Sequence, residues 1–202
     1  MSAGCKPVDE LAQDSRVVLV YGEAGAGKTT LALYLLSLRC GSCIYVSTER
    51  LDFLKRLEGM GTLDLSRLTV YEAFDYTDFL DVLFYSRLAM ADAVAVDSIN
   101  AYARGGEEPQ LYTMLLAAAL RQLSERLGIL VVETAQVHFN PETGELEPVL
   151  GSALELWADT LIEVERRPGG RRLLKLKKPG ASGWDYVVEA EITGRGLQWL
   201  SC

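Results

Sequence analysis

The chain has 202 residues, of which 49% are hydrophobic and 24% are charged, and its formal net charge is −8. This acidic balance argues against a protein that coats nucleic acid through bulk positive charge, although a local basic stripe could still bind it. No apolar run approaches the roughly 18 residues that a membrane-spanning helix needs, so we expect a cytoplasmic protein with no membrane partner. The length predicts an N-terminal extension over 1–15 and a single domain over 16–202.

Short apolar runs alternate with helical patterns over the first two thirds of the chain. They predict strands at 16–21, 44–47, 68–71, 93–96 and 129–134, and helices at 29–39, 51–57, 79–88 and 110–127. Thr77 or Asp78 is suited to cap the third helix, and Gly128 is suited to end the fourth in a left-handed conformation. This alternation predicts an α/β fold with a mainly parallel sheet flanked by helices.

The last third of the chain changes character. Short alternating runs at 161–165, 172–177, 186–192 and 197–200 are separated by turns rich in Gly and Pro. Such a pattern predicts antiparallel hairpin strands, which would extend the C-terminal edge of the sheet.

Cys40 and Cys43 form a Cys-x-x-Cys pair without the second pair of Cys or His that a zinc site needs. We therefore expect no metal at these cysteines. Two alternatives stay open: ordinary small core residues, or a stabilising disulfide of the kind found in hyperthermophiles.

One loop carries the strongest chemical signal. Gly22 to Thr29 read Gly-Glu-Ala-Gly-Ala-Gly-Lys-Thr, a complete Walker A motif that follows an apolar strand and opens a helix. Backbone N–H groups and the helix dipole would face phosphates, Lys28 would neutralise their charge, and the Thr29 hydroxyl could bind Mg²⁺. We therefore predict ATP and Mg²⁺ as ligands of Gly22, Glu23, Ala24, Gly25, Ala26, Gly27, Lys28, Thr29 and Thr30.

Two carboxylates complete the predicted catalytic set. Asp97 closes an apolar strand, in the position of a Walker B carboxylate that orients Mg²⁺. The three residues after Asp97 cannot act as a base, so the base must come from elsewhere. Glu49 is the best candidate because it lies just beyond the strand 44–47, and the carboxyl end of a parallel strand points into the nucleotide crevice.

Four segments, in the correct order, resemble RecA/RadA-type recombinases over nearly the whole chain. Their signatures in this sequence are Ser47-Thr48-Glu49 with Arg56 seven residues further on, Val96-Asp97-Ser98-Ile99, Val131-Val132-Glu133-Thr134-Ala135-Gln136-Val137, and Pro148-Val149-Leu150-Gly151. The resemblance implies a RecA-like P-loop ATPase core. It also implies that Glu49 polarises the attacking water, that Gln136 senses the γ-phosphate, and that Arg56 stacks on the adenine. Lys178-Pro179 resembles the segment that caps ATP across a subunit interface.

The departures from this family are also informative. No helical DNA-binding domain precedes Arg16, and 1–15 contain no Phe-x-x-Ala polymerisation peptide. This combination points to a core-only archaeal RadA paralogue. The partners that it implies are single-stranded DNA, a RadA-type recombinase and further copies of the chain.

The candidate DNA contacts are few. The loop 138–148 corresponds to the family's second DNA-contacting loop, yet it contains three Glu and no Lys or Arg. His138 and Phe139 could stack on bases, and Arg104 follows the strand that ends at Asp97. Strand alternation places Lys175 and Lys177 on one face, where they could meet DNA phosphates or the nucleotide of a neighbouring subunit.

We expect a slowly hydrolysing ATPase that modulates homologous recombination or DNA repair. One alternative is a KaiC-like signalling ATPase that acts on protein partners, which the acidic loop after Gln136 favours. A second alternative is a nucleotide-dependent switch that binds ATP and scarcely hydrolyses it.

Overall fold

A computed structural model describes residues 4–48, 63–85, 88–103, 107–142, 144 and 146–202. Within them the helices are α1 (Lys6–Asp14), α2 (Lys28–Ser37), α3 (Tyr76–Tyr85), α4 (Glu107–Leu127) and α5 (Gly151–Glu155). The strands are β1 (Val17–Tyr21), β2 (Cys43–Ser47), β3 (Leu68–Glu72), β4 (Ala93–Asp97), β5 (Leu130–Ala135), β6 (Val137–Phe139), β7 (Leu146–Pro148), β8 (Thr160–Arg166), β9 (Arg171–Lys177), β10 (Tyr186–Thr193) and β11 (Gly196–Ser201).

One mixed sheet organises the molecule, in the strand order β11-β10-β9-β8-β1-β5-β4-β2-β3. The strands from β8 to β3 pair in parallel, whereas β8, β9, β10 and β11 pair antiparallel. This arrangement confirms the predicted α/β fold, with hairpin strands extending one edge. A separate two-stranded antiparallel ribbon, β6 with β7, follows the carboxyl end of β5.

Both faces of the sheet are covered, as its near-continuous apolar strands require. On one face Leu31, Leu35 and other residues of α2 pack on Val18, Tyr45 and Val132. On the other face the core includes Phe79 of α3, Leu116 and Leu120 of α4, and strand residues such as Val131. Because β1, β4 and β5 are buried on both sides, their carboxyl ends are held firmly at one edge of the sheet.

The start of α3 corrects one prediction. The expected cap was Thr77 or Asp78, but the Asp75 carboxylate accepts hydrogen bonds from the backbone N–H groups of both residues, at 2.8 and 3.0 Å. Asp78 instead accepts from Phe74 N at 2.6 Å, so the two carboxylates cap the helix reciprocally. The predicted end of α4 is confirmed, since Gly128 has φ +72° and its N–H donates to Ser124 O.

Two disulfides occur among the described residues. Cys40 is joined to Cys43, which confirms the second of the two alternatives for that pair. Cys5 is joined to Cys202, with Cα atoms 5.5 Å apart and 197 positions between them in the sequence. The second disulfide fastens the start of α1 to the end of the chain. No helix in the described ranges has the length and apolar character that crossing a membrane requires.

Candidate nucleotide-binding site

The P-loop runs from the end of β1 into α2. Gly27, at the N-cap of α2, has φ +108°, a left-handed conformation that favours glycine over residues with a side chain. The ammonium group of Lys28 donates to the carbonyl oxygens of Gly22 and Glu23, at 2.9 and 3.0 Å. The side chain of Lys28 therefore folds back over the loop, into the space that a phosphate group would share.

Gly22 is required by close backbone packing. A Cβ atom at this position would lie 2.3 Å from the carbonyl oxygen of Val164 in β8. A main-chain atom cannot move aside as the end of a flexible side chain can, so the loop can leave β1 in this direction only if Gly22 has no side chain.

Asp97, at the end of β4, is the centre of a hydrogen-bond network. Its Oδ2 atom accepts from the Thr29 hydroxyl at 2.5 Å and also from the hydroxyl of Tyr45 in β2. Its Oδ1 atom accepts from the hydroxyl of Thr134 in β5. Three neighbouring parallel strands and the first turn of α2 thus converge on one carboxylate.

The ends of β2 and β4 are joined beside this network. Thr48 donates through both its backbone N–H and its hydroxyl to the carbonyl oxygen of Asp97, at 2.8 and 3.1 Å. The Thr48 hydroxyl also accepts from Ser98 N at 2.9 Å, and the Asp97–Ser98 peptide bond is cis. The residue that precedes the candidate base Glu49 is therefore fixed against the Walker B strand.

A cavity of about 530 Å³ brings most of the predicted nucleotide-binding residues together. Its lining comprises Gly22, Ala24, Gly25, Gly27, Lys28, Thr29, Thr30, Asp97, Ser98, Gln136, Val137, Arg172 and Ile192. Of the predicted loop residues outside this lining, Glu23 contributes its carbonyl oxygen to Lys28, and Ala26 is buried in the core. The predicted sensor Gln136 shares the cavity with the P-loop and with Asp97.

The residues present fit a magnesium-bound nucleotide triphosphate. Asp97 and the Thr29 hydroxyl provide adjacent oxygen ligands, which Mg²⁺ prefers. The buried hydroxyl of Ser98, in the wall of the same cavity, has no hydrogen-bond partner within the described ranges. It leaves a polar group available to a ligand.

Arg172 is a site residue that the sequence alone did not single out. Its guanidinium donates to the carbonyl oxygen of Ala26 at 2.6 Å and also reaches that of Gly25. Burial, followed by the nearby charge of Arg166, lowers the pKa of Arg172. A strand of the C-terminal hairpins therefore supports the P-loop. The two residues in contact are 146 positions apart in the sequence, so no local motif indicates the contact.

Asn100 is a second residue whose role was missed. It is 1% exposed, and its side chain contacts the backbone of Gln136 and of Val149. The sequence does not reveal the burial of this amide, and it is the burial that requires these partners, because an unpaired amide would be costly to bury.

The predicted DNA contacts lie in two separate places. His138 and Phe139 stand in the β6–β7 ribbon beside the cavity, and Phe139 is 62% exposed. Lys175 and Lys177 lie on one face of β9, where both ammonium groups approach the ring of Trp184. Lys175 also forms ion pairs with Glu163 and Glu165, so its charge is largely neutralised within the protein.

Three predicted residues, Glu49, Arg56 and Arg104, lie outside the described residues, as does the predicted helix 51–57. Lys178, which was expected to cap a nucleotide across a subunit interface, donates its backbone N–H to Asp185 Oδ2 at 3.0 Å.

No protein-family model matches the chain. Several archaeal proteins described as "DNA repair and recombination protein RadB" are similar along most of their length. That of Methanococcoides burtonii is 27% identical over 97% of this chain and 96% of its own length. That of Pyrococcus abyssi is 25% identical over 98% and 93%, and that of Halobacterium salinarum is 27% identical over 100% and 95%.

A solved structure described as "Crystal structure of the RadB recombinase" superposes with a TM-score of 0.75. The match covers 92% of this chain and 90% of the other, at 24% sequence identity, so it shows a shared fold. Together with the ordered motifs, the archaeal relatives and the shared fold support a RadB-like, RecA-type recombinase.

Proposed function

We propose that this chain binds Mg-ATP in the P-loop cavity, hydrolyses it slowly, and acts as a recombinase paralogue in homologous recombination and DNA repair. The observation that carries the nucleotide part is the convergence of Lys28, Thr29 and Asp97 on one cavity at the carboxyl ends of parallel strands. The relatives named for DNA repair and recombination support the cellular role, and the proposal includes a cytoplasmic location.

Each residue has a defined task in this proposal. Lys28 would exchange its bonds to the Gly22 and Glu23 carbonyls for bonds to phosphate oxygens, and the N-terminus of α2 would face the same negative charge. Thr29 and Asp97 would hold Mg²⁺, which supplies charge neutralisation when bound. Glu49 would orient the water that attacks the γ-phosphorus, and ADP would leave as the in-line group.

Slow hydrolysis follows from the family's interfacial site, in which a neighbouring subunit completes the nucleotide pocket. Lys178, the candidate interfacial residue, is not among the described residues that line the cavity. A monomer that turned over ATP many times per second would contradict this part of the proposal.

Replacing Lys28 with alanine is expected to weaken Mg-ATP binding about 10- to 100-fold, because a charge-assisted contact to phosphate contributes about 1.5–3 kcal/mol. Titration with a fluorescent ATP analogue measures the effect. Lys6→Ala is the matched control, since Lys6 is an exposed lysine on α1. If Lys28→Ala and the unmodified chain bound Mg-ATP with equal affinity, the P-loop would not be the nucleotide-binding site.

The Glu49→Gln variant separates an enzyme from a switch. If Glu49 places the attacking water, the variant should keep its affinity for ATP and lose most of its turnover, measured as phosphate released. An unchanged turnover would favour the alternative of a nucleotide-dependent switch. The KaiC-like alternative receives no support from the relatives found.

DNA binding has its own test. Phe139→Ala is expected to weaken binding of a labelled single-stranded oligonucleotide about tenfold, because stacking of a base on an aromatic ring contributes about 1–3 kcal/mol. Phe84→Ala is the control, since Phe84 is a 77% exposed aromatic residue on α3. Binding that falls as salt rises would support phosphate contacts. If the unmodified chain bound ATP but no oligonucleotide, the partner would instead be a protein.

A further inference from the structure

Asn100 makes three hydrogen bonds to the two chain segments that flank the β6–β7 ribbon. Its Oδ1 atom accepts from Gln136 N at 2.8 Å. Its Nδ2 group donates to the carbonyl oxygens of Gln136 and Val149, at 2.9 and 3.0 Å. The amide is thus bonded through its acceptor and both of its donors to backbone, deep inside the protein.

These bonds close the base of the ribbon. Val149 N donates to Gln136 O at 3.0 Å, and the next pair outward is Val137 with Pro148. Beyond this base the ribbon is short, with three paired positions, and Pro141, Glu142 and Gly144 near its tip are exposed. A two-stranded ribbon of this length is marginally stable by itself, so its position depends on the contacts at its base.

The same base is joined to the nucleotide cavity. Asn100 follows Asp97 by three positions, and between them Ile99 N donates to Thr134 O at 2.9 Å. Thr134 in turn donates to Asp97, which accepts from Thr29 of the P-loop. Gln136 lines the cavity and is bonded through its backbone to Asn100. A shift of Asp97 or Gln136 on ligand binding would therefore reach both ends of the ribbon through one side chain.

We infer that Asn100 is a positioning residue that couples the nucleotide in the P-loop cavity to the conformation of the ribbon 137–148. This inference rests on the proposed binding of Mg-ATP and specifies how that site would regulate a second surface. The surface is that of the exposed side chains of His138, Phe139 and Glu142. Without Asn100, nucleotide could still bind, but the ribbon would no longer respond to it.

Two substitutions of Asn100 remove different numbers of its three hydrogen bonds. Asn100→Asp keeps an oxygen that can accept from Gln136 N but loses both donors, whereas Asn100→Ala loses all three bonds. Ser124→Ala is the matched control: Ser124 is also buried and donates to the backbone carbonyls of Arg16 and Ile129, away from the cavity. The control measures what loss of a buried side-chain-to-backbone contact does to the fold as a whole.

Hydrogen exchange monitored by mass spectrometry over 136–149 tests the inference, with Mg²⁺ and a non-hydrolysable ATP analogue or without nucleotide. In the unmodified chain we expect nucleotide to slow exchange of this segment about threefold. In Asn100→Ala we expect exchange without nucleotide to be about 100-fold faster, since three hydrogen bonds of about 1 kcal/mol each are lost. Nucleotide should then leave the exchange rate unchanged, and Asn100→Asp should lie between the two.

Nucleotide affinity is measured on the same samples. Asn100→Ala is expected to bind the analogue within about threefold of the unmodified chain while losing the response of the ribbon. If nucleotide slowed exchange of the ribbon in Asn100→Ala as much as in the unmodified chain, Asn100 would have no coupling role. The inference would also fail if Ser124→Ala lost the response of the ribbon to nucleotide. Failure of the unmodified chain to bind the analogue would instead refute the proposed function, so the two failures are distinguishable.

Discussion

Replacing Cys202 with serine is expected to lower the free energy of unfolding by about 5 kcal/mol, since the disulfide to Cys5 closes a loop of nearly the whole chain and loop-closure entropy grows with loop length. The two cysteines are 197 positions apart. For a chain of this size the loss corresponds to a fall in melting temperature of about 10–20 °C. Cys202 is exposed, so the substitution opens the disulfide without removing a core side chain.

Equilibrium denaturation under oxidising conditions measures the loss, and Cys40→Ser is the matched control. Cys40 and Cys43 close a loop of only three positions, for which the same entropy relation gives about 2 kcal/mol. A reducing agent should lower the free energy of unfolding of the unmodified chain to that of a variant that lacks both disulfides. Equal midpoints for Cys202→Ser and the unmodified chain would show that the long disulfide adds nothing to stability.

The features that were predictable from the sequence are those that local chemistry dictates. Continuous apolar runs followed by Gly-rich or acidic ends, at Val17–Tyr21 and Ala93–Asp97, indicate buried parallel strands that deliver residues to one edge. The change to alternating runs after Thr160 indicates strands of which one face is less buried. These strands pair antiparallel with one another, and β8 also pairs in parallel with β1. Both patterns repeat within a few residues, so one sequence is enough to show them.

The features that were not predictable depend on contacts between distant positions. The cap of α3 was misplaced because Asp75, Thr77 and Asp78 can all accept a backbone hydrogen bond, and only the path of the chain decides among them. Arg172 was missed because its P-loop partner is set by the register of β9 beside β8. Asn100 belongs to no recognisable sequence motif, because its partners are backbone groups, which any residue type provides.

Glu133 illustrates a further limit, since a strand pattern does not reveal a buried charge without a partner. It lies in β5 between Leu19 of β1 and Val96 of β4, on the face that packs against α3 and α4. Its side chain is fully buried, and neither carboxylate oxygen has a hydrogen-bond partner among the residues that the structure describes. Burial therefore raises the pKa of Glu133 to about 8, which keeps the carboxyl group protonated at neutral pH.

This raised pKa makes the stability of the protein depend on pH. In the unfolded chain Glu133 ionises near its ordinary pKa, whereas in the folded chain it stays neutral up to about pH 8. Folding must therefore bind a proton in this interval. The contribution of Glu133 to stability is fully present below the unfolded pKa, and it falls by about 1.4 kcal/mol per pH unit until the folded pKa is reached.

Glu133→Gln is expected to remove this dependence, because the amide does not ionise. The free energy of unfolding of the unmodified chain should fall by about 3–4 kcal/mol more than that of Glu133→Gln between pH 5 and pH 8. Denaturant titrations at closely spaced pH values measure the difference, and Glu72→Gln is the control, since Glu72 is exposed on the edge strand β3. Parallel pH profiles for Glu133→Gln and the unmodified chain would mean that the folded state supplies Glu133 with a partner or with water. The carboxylate would then be ionised within the sheet, and the strand ends that hold Asp97 and Gln136 would lie next to a buried negative charge.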